Sequence, residues 1–179
     1  ISRENAKVLK QVLDQLPHGW KPGLYFWIET GLSSLPTDLQ EYDLPKVCYL
    51  IDTHINYEKH LDIARHFNFI FLAQKDYVEK MTDAGIKNVF WLPLACDPDI
   101  HGKVDHEKIW DVGFVGTIPE TRNRRKTLLE KIGSRFNLSC ERKFMDEMAE
   151  HYSRSKIVFN NAIKNDLNMR VFEALCSGS

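Results

Sequence analysis

The chain has 179 residues, of which 43% are hydrophobic and 27% charged, and its formal net charge is −1. This supports a core of ordinary size in one large or two small domains, and it excludes a global field that draws the protein to nucleic acid or anionic lipid. No apolar run approaches the ~18–20 residues of a membrane span.

The N-terminus is an amphipathic helix pattern rather than a secretory leader, so the expected location is cytoplasmic. The four cysteines, Cys48, Cys96, Cys140 and Cys176, form no C-x-x-C pair and are expected to be buried thiols of a reducing compartment. The chain opens on Ile1 and closes on Ser177-Gly178-Ser179, and both ends read as cut.

The predicted elements run as follows. Residues 3–16 place Ala6, Leu9, Leu13 and Leu16 near helical spacing, and Pro17, His18 and Gly19 end that helix. Four nearly continuous apolar runs follow: GLYFWIET (23–30), KVCYLIDT (46–53), FNFIFLA (67–73) and NVFWLPLA (88–95). Continuous runs of this length predict strands buried on both faces. Helical patterns lie between them over 57–66 and 75–85. The alternation predicts βαβ units and a parallel sheet.

Residues 97–109, DPDIHGKVDHEKI, are polar, and Pro98 and Gly102 make them the linker candidate. The pattern then restarts. Strands are predicted over 110–117, 137–142 and 156–162, and helices over 124–136, 145–155 and 166–176. No internal repeat or low-complexity tract is present. The expectation is an α/β protein of two Rossmann-like domains with parallel sheets, 1–104 and 105–179. The first is incomplete at its start and the second truncated.

Ligands of open α/β sheets bind beyond the carboxyl ends of the strands. In DVGFVGTIPETRNRRK (111–126), a strand runs through Gly113 to Gly116 and a loop leads to a basic helix start. Backbone at Gly116 can approach a ligand closely, and Arg122, Arg124, Arg125 and Lys126 can neutralise a diphosphate. The alternative is a packing glycine and a solvated basic turn. Cations at a helix start oppose its dipole, which favours an anionic partner.

In the closing helix, Leu167, Val171, Phe172 and Leu175 share one side, while Asp166, Arg170 and Glu173 form a ridge on the other. Asn165 or Asp166 can cap its start. The ridge is either a ligand-facing set or a surface ladder of ion pairs worth about 0.2–0.5 kcal/mol each.

In LIDTHINYEKH (50–60), Asp52 and His54 follow a strand directly, and Glu29 ends the strand before it. Asp52 and His54 are the candidate catalytic pair. Their alternatives are a turn cap and a partly buried polar residue.

SKIVFNNAIKNDLNMRVFEALCSGS (155–179) resembles the donor-site region of GT-B glycosyltransferases, in particular the group named for the spore maturation protein CgeB. FWLPLACDPDIH (90–101) and DVGFVGT (111–117) match that group in the same order. The resemblance spans about residues 46–179.

It implies a two-domain GT-B fold and transfer of a sugar from a nucleotide-sugar donor to an unidentified acceptor. No metal or other cofactor is implied. Glu173 then matches the Glu that accepts hydrogen bonds from the nucleotide ribose, and Gly113 and Gly116 match the donor domain's first glycine turn. Thr117 stands where some relatives have Arg, and Asn165 where many have a second, sugar-contacting Glu. Asn161, Asn168 and Arg170 complete the candidate donor-binding set with Asp166 and the basic cluster. Asp52 or His54 would serve as acceptor-side base. A chain cut in the donor domain is expected to be inactive alone.

Two rivals remain. One is a metal-dependent hydrolase built on Asp52 and His54. The other is a non-catalytic nucleotide-binding module of the same fold.

Overall fold

The computed structural model describes residues 8–31, 34–121, 123–162 and 166–178. They form an α/β protein with two parallel sheets. Contacts divide the chain into two compact units, Ile1–Pro93 and Leu94–Ser179. No helix among the described residues is long and apolar enough to cross a membrane.

In the first unit, α1 (Leu9–Leu13) precedes β1 (Tyr25–Ile28), β2 (Lys46–Leu50), α2 (Tyr57–Ala64), β3 (Phe69–Leu72), α3 (Asp76–Asp83) and β4 (Val89–Trp91). A short 3-10 turn, Leu39–Glu41, lies in the β1–β2 connection. The strands pair in chain order, β1-β2-β3-β4, all parallel.

That order has a consequence for the layers. Right-handed crossovers that always step the same way put every connection on one face of the sheet. Trp27, Cys48, Leu50, Ile70 and Leu72 bury that face with Leu9, Ala64 and Met81. On the opposite face Phe26, Ile28, Phe69 and Phe90 are 41–49% exposed. The expectation of strands buried on both faces is therefore corrected for this sheet. The apolar runs are as predicted, but the described residues cover only one side.

The second unit begins with α4 (Pro98–His101), which falls inside the stretch 97–109 expected to be a linker. Asp97 caps this helix by accepting the Asp99 N–H at 3.0 Å, and Pro98 occupies its first turn. His101 is buried and Ser177 Oγ lies 2.9 Å from its carbonyl oxygen. This stretch is thus part of the second unit, and the division falls at Pro93/Leu94, ahead of the expected 104/105 boundary.

Then come β5 (Trp110–Val115), α5 (Arg124–Gly133), β6 (Leu138–Glu141), α6 (Met145–Ser153), β7 (Ser155–Val158) and α7 (Met169–Cys176). The order is β6-β5-β7, with β5 central. The chain steps from β5 to β6, then crosses back to the far side of β5. Right-handed connections that reverse direction lie on opposite faces of the sheet, and such a reversal opens a crevice at the carboxyl ends of the strands. Val115, Met148, Tyr152 and Ala174 form the core beneath it.

Candidate functional site

A cavity of about 630 Å³ opens at the carboxyl end of β5. Its volume lies in the range of small-molecule sites. Val115, Gly116 and Thr117 form one wall, the β6–α6 turn a second, and α4 with the start of α7 the rest.

Gly116 adopts φ +154°, and a Cβ there would come within 3.0 Å of Arg170 Nη2 and 3.1 Å of Phe114 Cζ. Glycine is what lets the Arg170 guanidinium lie against this turn and over the Phe114 ring, 5.7 Å from its centroid. The Gly116 N–H itself donates to the Glu141 carbonyl at 2.9 Å, within the sheet ladder. That N–H is therefore already used within the sheet.

Arg170 also neighbours the Tyr152 hydroxyl. Its Nε is buried without a hydrogen-bond partner.

Glu173 is 6% exposed. Burial pushes its carboxyl pKa upward, against the opposing pull of His101 and Arg170. This corrects the reading of α7. The helix starts at Met169 with Asn168 before it, so Asp166 and Leu167 lie outside the helix. Leu175 is 68% exposed while Glu173 is buried. Glu173 points to His101 and Arg170 folds back over Phe114, and both line the cavity. Asn168 lines the cavity and exchanges two amide hydrogen bonds with Asn160, at 3.1 and 3.3 Å.

Other predicted site residues lie elsewhere. Gly113 is inside β5, where an added Cβ would meet Ser155 Cβ at 2.8 Å and His151 Nε2 at 3.3 Å, so it is a packing glycine. Arg124 is exposed at the start of α5. Lys126 donates through Nζ to the Glu120 carbonyl at 3.0 Å and through its N–H to Asn123, the α5 cap. Arg125 ties two loops together: Nη1 donates to the Thr117 carbonyl and Nη2 to the Asn161 carbonyl, each at 2.9 Å. Neither Asn161 nor Asp166 lines the cavity. Arg122 and Asn165 lie outside the described residues.

The β6–α6 turn contributes a wall that the sequence reading missed: Arg142, Lys143, Phe144 and Met145. Phe144 and Met145 are 67% and 61% exposed, and Met145 has φ +50°, an uncommon conformation for a side chain of its size. The signal was available. Arg142, Lys143 and Phe144 follow β6 directly, a position the carboxyl-end rule singles out.

In the first unit, Asp52 is exposed at φ +59° beyond β2, and its carbonyl accepts the N–H groups of Ile55 and Asn56 at 2.9 and 3.1 Å. Half-buried His54 follows it. Beneath them lies a buried cluster. His60 Nδ1 is 3.0 Å from Thr53 Oγ1, the Thr53 N–H donates to Gln74 Oε1 at 3.0 Å, and His60 Nε2 is 4.0 Å from Glu29 Oε2. Glu29 also accepts the Gly31 N–H at 2.6 Å. Burial pushes the His60 pKa down to about 4. This cluster joins the ends of three strands to α2, and Glu29, a candidate cleft residue, is buried in it rather than presented to a ligand.

No protein-family model matches the chain, and no curated protein matches it.

Proposed function

We propose that the second unit binds a nucleoside diphosphate carried by a nucleotide-sugar, and that the protein is a metal-independent glycosyltransferase acting on an unidentified acceptor. The observation that carries this reading is that Glu173, Arg170 and the Gly116–Thr117 turn line one cavity beyond the central strand. A carboxylate accepts two ribose hydroxyls at once. Arg170, with Arg142 and Lys143, supplies positive charge for a diphosphate. Phe144 and Met145 offer an exposed apolar platform for a base. The resemblance of 155–179 to the CgeB-like donor region assigns Glu173 the same role. Asp52 and His54 are the acceptor-side candidates of this reading.

The test is a thermal-shift screen of the chain against UDP, GDP, TDP, ADP and their sugar conjugates, followed by a transfer assay of any binder. A ligand present at ~100 times its Kd stabilises by about 2.7 kcal/mol, a shift of several degrees. If none of these ligands moves the melting temperature, the reading fails. Binding without transfer or sugar release supports the non-catalytic module instead.

A further inference from the structure

Cys96 and Cys176 are distant in sequence, yet the fold of the second unit brings them together. Cys96 lies in the segment leading into α4 and Cys176 is the last residue of α7. The Cys96 thiol donates to the Phe172 carbonyl at 3.3 Å. In an α-helix that carbonyl takes the N–H of the residue four positions on, which here is Cys176. The Cys96 thiol therefore sits against the last turn of α7, the turn that carries Cys176. Both are partly exposed, whereas Cys48 is buried and Cys140 is on the surface. The expectation of four isolated buried thiols is corrected accordingly.

We infer that Cys96 and Cys176 form a reversible disulfide site, oxidised by a small-molecule disulfide such as glutathione disulfide. One cysteine thiolate attacks a sulfur of the oxidant and expels a glutathione thiolate, leaving a mixed disulfide. The second cysteine thiolate attacks the protein sulfur of that bond and expels the other glutathione. The two thiol protons end on the two released glutathiones, and the cysteine pair is oxidised as the oxidant is reduced. Burial and the nearby Glu173 carboxylate push the Cys96 thiol pKa up, so oxidation speeds up as pH rises.

The bond would join the segment before α4, the helix that carries His101, to α7, which carries Glu173. It would therefore fix two walls of the cavity against each other. The inference does not depend on what that cavity binds.

The experiment equilibrates the purified chain with glutathione buffers of increasing oxidised fraction, alkylates it under denaturing conditions and maps it by mass spectrometry. The expected result is loss of two alkylation sites together, a fall of about 2 Da before alkylation, and a peptide cross-linking Cys96 to Cys176. Cys48 stays reduced, Cys140 takes up glutathione only as a separate adduct without a cross-link, and Cys140→Ser leaves the Cys96–Cys176 cross-link in place. Glutathione held on Cys96 or Cys176 without a cross-link overturns the inference. So does a cross-link through Cys140, or four free thiols at the most oxidising ratio. The readout is made on the unaltered chain, so a folding defect in a variant does not obscure it.

Discussion

Glu173 Oε1 faces His101 Nε2 at 3.7 Å, with both side chains about nine-tenths buried. On the other side of the ring, His101 Nδ1 lies 3.1 Å from the Asp97 carbonyl, which can only accept, so Nδ1 carries the hydrogen there. The buried Ser177 hydroxyl sits 2.9 Å from the carbonyl oxygens of both His101 and Glu173. Two helices from opposite ends of the second unit thus hold one carboxylate in place at the cavity wall.

Glu173→Gln separates holding from binding. The amide keeps the shape and removes the desolvated charge, so the unit stays folded, with a melting temperature unchanged or higher. A charged hydrogen-bond partner is worth about 1.5–3 kcal/mol, so nucleoside diphosphate affinity should fall at least ~10-fold by calorimetry. Unchanged affinity would remove Glu173 from the ligand site.

The same carboxyl predicts a pH effect of definite sign. Its folded pKa is raised, so the stability it contributes is fully present below the unfolded carboxyl pKa of about 4.3 and is lost as pH rises through the folded value. Urea melts of wild type and Glu173→Gln should diverge across that window. The variant should be relatively more stable on the high-pH side.

His60 works on the acid limb. Its folded pKa is lowered to about 4, below the unfolded value of about 6.5. The neutral ring is fully compatible with the fold above the unfolded value, and stability is lost as pH falls through the folded one. The loss approaches roughly 3 kcal/mol near pH 4. His60→Gln should flatten this limb in melts of the first unit at pH 7 and pH 4.5. A limb of unchanged slope would show that His60 is not its source.

Gly113→Ala should destabilise the second unit by about 1–3 kcal/mol, because the new methyl collides with Ser155 and His151. Adding Ser155→Gly should recover part of the loss in a double-mutant cycle. Strict additivity of the two changes would contradict the packing role.

Phe144→Ala should leave the melting temperature of the free protein unchanged, since the ring is 67% exposed. It should weaken nucleotide binding several-fold if the ring carries the base, as stacking is worth about 1 kcal/mol or more. Equal affinity would leave Phe144 without a role in binding.

Much of this architecture was legible before the fold. The four continuous apolar runs gave the strands of the first sheet, and the restarted α/β pattern gave those of the second. The layer arrangement was not legible, since it depends on strand order, and order is not written in any one run. Residues 97–109 looked like a linker because a four-residue helix has too little periodicity to register. The burial of Glu173 against His101 was not legible, because a helical wheel cannot see a partner arriving from a distant segment. Cys96 and Cys176 meet for the same reason: proximity between remote residues belongs to topology. At Gly116 the sequence showed a glycine turn but not the Arg170 guanidinium that lies against it.

The exposed face of the first sheet predicts salt-dependent self-adhesion of this chain. A plane bearing Phe26, Ile28, Phe69 and Phe90 is a hydrocarbon surface in contact with solvent, and such surfaces self-adhere more strongly in sulfate than in chloride. Replacing Phe69 or Phe90 with Lys would place a charge on that plane and improve recovery from concentrated stocks. The cavity belongs to the other unit, so its walls would be untouched by the change.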